Sequence, residues 1–130
     1  MISDAGRVAM LDALVLTMTS DGDPDESERA VVRAVYADAA GAPLDEPLLD
    51  ASLARVASDP EAVWRGLAAG AGLPDPEKEA IVRSAIRVVM ADGELADGEL
   101  VAMQRLARAI GFRELRRVMN AVWNERPTRG

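Results

Sequence analysis

Cysteine and histidine are both missing from the 130-residue sequence. Without cysteine there is no disulfide, no thiolate nucleophile and no Cys-based zinc or iron–sulfur site. Without histidine there is no Ser-His-Asp triad, no imidazole metal ligand and no side chain that ordinarily titrates near neutral pH. Aromatics amount to 3%, as two Trp, one Tyr and one Phe, too few for the stacking platforms that bind single-stranded nucleic acid. No apolar run approaches the roughly 18 residues of a membrane span. Asp4 and Asp12 stand where a signal peptide carries Lys or Arg, so the expected location is the cytoplasm, with no membrane insertion.

What remains is an ordinary globular composition, 49% hydrophobic and 28% charged. The length fits one domain over residues 1–130, large enough to bury a core without staples. The net charge of -7 repels nucleic acid, but the charge is unevenly spread. From Arg105 onward seven Arg face only Glu114 and Glu125, a balance of +5 that leaves -12 on residues 1–104. One reading is that these basic residues sit near helix C-termini, where the macrodipole favours them; the other is a dipolar molecule with an anion-binding end.

Apolar residues recur at helical spacing almost throughout, and no segment alternates as a half-buried strand does. The expectation is an all-α bundle of about seven helices with short connections. Ser3 caps the first, whose stripe is Val8, Leu11, Leu14, Val15 and Met18, ending at Ser20-Asp21-Gly22. Asp25-x-x-Glu28 is a capping box for the second, with Val31, Val32, Val35, Tyr36 and Ala39 inward and Gly41-Ala42-Pro43 as the stop. A third helix from about Asp45 to Ala57 turns Leu48, Leu49, Leu53 and Val56 inward. Asp59-Pro60-Glu61 and Asp75-Pro76-Glu77 read as matching starts, with Asp as cap and Pro in the first turn. The fifth helix, with Ile81, Val82, Ala85, Ile86, Val88, Val89 and Met90, reads as the most apolar and the centre of the fold. The sixth carries Leu100, Met103, Leu106 and Ile110 up to Gly111. The last carries Leu115, Val118, Met119, Val122 and Trp123, with residues 124–130 as a tail. Trp64 and Trp123 both fall on apolar stripes and read as packing residues; five methionines read as core fillers.

Two stretches match at an offset of 71 residues. Asp21-Gly22-Asp23 with Glu28 lies over Asp92-Gly93-Glu94 with Glu99, and Met18, Val32 and Val35 lie over Val89, Met103 and Leu106. Such a repeat implies two similar helix–loop–helix units. Here the chain resembles the tellurite-resistance TerB-like domains, through Met90-Ala91-Asp92-Gly93-Glu94-Leu95 with Glu99; the first copy, Ser20-Asp21-Gly22-Asp23 with Glu28, departs mildly. The resemblance implies a compact all-α fold and a bacterial stress-response or envelope-associated context. It also implies a divalent-cation or partner-binding role for the acidic surface.

The residues themselves leave two accounts of these acids open. Carboxylates crowded as Asp21, Asp23 and Glu28, and again as Asp92, Glu94 and Glu99, are the ligands a calcium or magnesium ion takes. The loops are not EF-hands, because Glu26 and Asp97 stand where that loop needs Gly, and Val32 and Met103 where it needs Glu. Alternatively, Asp-Gly makes a tight turn and the following acids cap helix N-termini, with Glu28 and Glu99 at the third helical position. Gly66, Gly70 and Gly72 make no phosphate loop, lacking the Lys and Ser/Thr that follow one. The expected function is therefore non-enzymatic: a binding module that requires no cofactor, with a weak divalent-cation site at the six acids and a protein partner. The rival is a metal-free interaction scaffold using the same acids and the Arg-rich C-terminal helix.

Overall fold

Two helices that lie far apart in sequence form the centre of the molecule. In the computed structural model, which describes residues 2–20, 22, 24–91 and 97–125, α1 (Asp4–Met18) packs along α5 (Asp75–Val89) more extensively than any other pair. Around them lie α2 (Glu26–Ala40), α3 (Glu46–Ser58), α4 (Pro60–Leu67), a 3₁₀ turn (Ala68–Gly72), α6 (Asp97–Ala109) and α7 (Leu115–Glu125). There is no strand among the described residues.

The 71-residue offset is a structural repeat. Shifted by 71, the bounds of α1 become those of α5, and the second helices, α2 and α6, begin 71 residues apart. Each unit's first helix contacts the other unit's second helix, α1 with α6 and α2 with α5. The matched residues share their burial: Met18 and Val89 are buried, as are Val32 and Met103. Val35, matched to buried Leu106, is half-buried against the core.

Local signals place the helix ends. The Ser3 hydroxyl accepts from the Gly6 N–H, and the Asp59 carboxylate accepts from Ala62 N–H with Pro60 next in line. Gly41 and Gly111 both sit at φ +72°, the left-handed conformation in which a helix ends most easily with glycine. Asp75 departs from the expected pattern. It is the first residue of α5 itself, and Pro74 holds the cap position without a side-chain bond. Glu77, two residues on, is instead bound to Ser3 of α1. The first helix also stops earlier than its Asp-Gly signal suggests, with Thr19 as its C-cap.

Core membership differs most from the sequence reading at three positions. Val8, Leu48 and Trp123 are 60%, 51% and 53% exposed. Leu48 is one residue, about 100° of helix, from buried Leu49, and Ser52 takes the inward place on the next turn, donating to Asp12 at 2.7 Å. Trp123 is likewise turned away from Val122, which with Val118 makes the buried face of α7. Val35, Ala39, Leu53, Val88 and Leu115 are half-buried but pack against the core, and Val31 and Leu100 are half-buried. α5 is central as expected, packed on α1, α2, α6 and α7, but it is not the most apolar helix: α1 buries nine residues against its six. Of the five methionines expected in the core, Met10, Met18, Met90 and Met103 are buried and Met119 is half-buried against it.

Charged contacts fasten the outer helices. Glu125, in the last turn of α7, accepts from Arg83 at 2.8 Å and Arg87 at 3.2 Å, and Arg87 also reaches Asp38 of α2. Arg83 pairs with Glu79 as the spacing suggests. The helix runs through Asn124 and Glu125, where the sequence suggested a tail; residues 126–130 lie outside the described residues. Arg105 of α6 stacks on the Trp64 ring of α4, 4.6 Å from its centroid, and pairs with Glu61.

Candidate functional site

The repeat brings equivalent residues of its two copies to one surface depression. Glu28 and Glu99, 71 residues apart, line a cavity of about 340 Å³, together with the equivalent pair Met18 and Val89. Asp25, Ser27, Val31 and Val88 complete its wall. The reason is topological. Glu28 and Glu99 each stand in the first turn of a second helix, α2 or α6, and those helices flank the central α1–α5 pair.

The acids of α2 are engaged with their own helix. Asp25 Oδ1 accepts from Glu28 N–H at 2.8 Å and from the Ser27 hydroxyl at 2.7 Å, while Glu28 Oε1 accepts from Asp25 N–H at 3.2 Å. This is the capping box that the sequence spacing implied. The Glu28 N–H and the Ser27 hydroxyl hold the Asp25 carboxyl below the usual carboxylate range. The box uses one oxygen of each carboxylate and leaves the second oxygen of each outside it. Glu99 is half-buried at the third helical position of α6, the place Glu28 holds in α2.

Of the six acids singled out from the sequence, Glu28 and Glu99 are therefore brought together. Asp21, Asp23, Asp92 and Glu94 lie outside the described residues. Among the described residues no three carboxylates converge closely enough to hold a metal ion by themselves. Asp25 joins the cavity although it was not among the six; its capping-box spacing was the signal that placed it there.

A family model described as Tellurite resistance protein TerB matches residues 7–120. The chain belongs to the TerB family. That match spans both copies of the repeat, so the TerB character belongs to the whole doubled unit and not to one Asp-Gly bend. Comparison with curated proteins and with solved structures returns no match. No helix among the described residues of this TerB domain is long and apolar enough to cross a membrane.

Sequence reasoning missed two features beyond this cavity. Asp12, on α1, is mostly enclosed and joins Ser52 and Arg55 of α3 at 2.7 and 2.6 Å. Arg29, on α2, lines a separate cleft. Neither has a local sequence signature, because each depends on where α3 lies.

Proposed function

We propose that the protein is a non-catalytic, cytoplasmic binding module of a tellurite-resistance-type stress response, and that its acidic face holds a divalent cation. The observation that supports this is the convergence of Glu28 and Glu99 on one cavity, with Asp25 beside them. An ion there would take the oxygens of Asp25 and Glu28 that lie outside the capping box, with Glu99 and with Asp21, Asp23, Asp92 and Glu94 of the two sequence motifs. Hard divalent ions take six or more oxygen ligands, from carboxylates, backbone carbonyls and water. Crowded carboxylates repel one another, and a cation would offset that repulsion. The cation would act as a clamp between the two copies of the repeat and fix the shape that a protein partner meets.

The capping box favours a second reading. Asp25 and Glu28 already have a structural task at the α2 N-terminus, so the same acids could serve a metal-free scaffold that attracts a basic partner. Calcium titration followed by amide chemical shifts separates the two. The cation reading expects saturable shifts in both Asp-Gly bends and at Glu28 and Glu99, abolished in the Asp21→Asn, Asp92→Asn double variant. Absence of shifts at millimolar calcium and magnesium overturns it in favour of the scaffold.

A further inference from the structure

Arg29, early in α2, is half-buried, and its Nε–H is shut away from solvent with no acceptor among the described residues. This sets it apart. The other half-buried arginines among the described residues, Arg7, Arg33, Arg83 and Arg87, each have a carboxylate at between 2.6 and 3.8 Å. A buried donor left without an acceptor is unfavourable and uncommon in folded proteins. Arg29 borders a cleft of about 580 Å³ whose walls include Pro24, Leu53, Ala54, Val56, Ala57 and Pro60. Thr19, at the rim, already donates its hydroxyl to the Val15 carbonyl at 2.8 Å.

We propose that this cleft binds a small aliphatic monocarboxylate, with its carboxylate on the Arg29 guanidinium and its hydrocarbon against the end of α3. The guanidinium fork is shaped for a carboxylate. One cation in the strongly acidic part of the chain matches a single negative charge, whereas a polyanion would be repelled. The six wall residues have no polar side-chain atoms, which suits a hydrocarbon. A peptide would bring N–H and C=O groups that these side chains cannot pair. The volume falls in the range of small-molecule sites, roughly 300–1,000 Å³. The inference uses none of the carboxylates invoked for a cation and stands without that reading.

The probe is hexanoate, titrated into the full chain while the Arg29 Nε–H and backbone amide resonances are followed by NMR. Expected are saturable shifts of Arg29 Nε–H and of the Thr19, Gly22 and Ala54–Ala57 amides, with hexanol producing no comparable shift. Arg29→Gln weakens hexanoate binding by about tenfold or more, the loss of one charge-assisted contact. Ala57→Phe, a surface change that fills the cleft and leaves the charge in place, abolishes it, and keeps the test valid if Arg29→Gln fails to fold. Equal binding of hexanol, unchanged affinity in both variants, or no shifts up to the solubility limit of hexanoate overturns the proposal. So does binding confined to a free-carboxylate peptide such as N-acetyl-Ala-Ala-Leu.

Discussion

Glu77 Oε1 accepts two hydrogen bonds from Ser3, one from its N–H and one from its hydroxyl, each 2.7 Å long. The same Ser3 oxygen accepts from Gly6 N–H at 3.1 Å. The start of α1 is thus capped by a residue that is itself held by the start of α5. Gly6 is required there, because a Cβ at that position would meet Glu77 Oε1 and come within 2.7 Å of Ile2. Ser3→Ala removes the cap and is expected to lower stability by about 1 kcal/mol. Gly6→Ala, which displaces both neighbours, is expected to cost about 1–3 kcal/mol. Chemical denaturation of the two variants checks both values, and their order is the informative part.

Acid sensitivity follows from four carboxyls held below their ordinary range. The Ser3 hydroxyl holds Glu77 down, Arg33 holds Glu46, Arg117 holds Glu79, and the Glu28 N–H holds Asp25. A depressed folded-state pKa contributes stability that is present above the unfolded value and lost as pH falls through the folded one. The melting temperature should therefore be level above about pH 5 and fall as pH drops below the ordinary glutamate value of 4.5. Between about pH 6 and 8 it should change little, because no side chain ordinarily titrates there and the N-terminal charge is the least of the causes acting on Glu77. Asp25 and Glu46 are exposed and Glu77 and Glu79 half-buried, so added salt should shrink the acid effect. Calorimetry across pH at two ionic strengths tests this.

Leu14 is fully buried in the middle of α1, and Val8 is 60% exposed one face away. Leu14→Ala is expected to cost about 3 kcal/mol, from lost transfer energy and a residual cavity. Val8→Ala should stay within about 0.5 kcal/mol. Equal losses in guanidinium melts would contradict this assignment of inner and outer faces.

Gly41 and Gly111 end their helices at φ +72° with no Cβ clash in the way: nothing lies within 4 Å of a Cβ at Gly41, and at Gly111 only Lys78 and Ala71, at 3.7 and 3.9 Å. Alanine at either position should therefore cost about 1–2 kcal/mol through backbone conformation alone. A retained melting temperature in both variants would show that the helices can end another way.

The Asp21→Asn, Asp92→Asn double variant is expected to lose calcium-dependent shifts while melting within a few degrees of the parent. Asp25→Ala is expected to do the reverse in part: it removes an N-cap and lowers the melting temperature.

Much of the fold was legible in the sequence because its signals are local. Ser3, Asp25, Asp59, Gly41 and Gly111 mark helix ends through their own side chains or backbone freedom, and the offset of 71 residues aligns α1 with α5. Periodicity identifies a stripe but not how much of it a neighbour covers, which is why Val8, Leu48 and Trp123 were misplaced. Partner choice was out of reach for the same reason. Nothing near Arg87 in sequence says that Asp38 and Glu125 will meet it, or that Arg29 will face a cleft instead of a carboxylate. At the acidic face the repeat pairs Glu28 with Glu99 in sequence, but their meeting at one cavity follows from how α2 and α6 pack, and the capping box accounts for why Glu28 points as it does.

The central α1–α5 pair also bears on how the chain is made. As it leaves the ribosome, α1 emerges with nine residues that need cover, yet its main partner does not begin until Asp75. The nascent polypeptide must carry that sticky segment through much of translation, guarded only by α2, α3, α4 and the 3₁₀ turn, and pairings so distant along a chain form slowly.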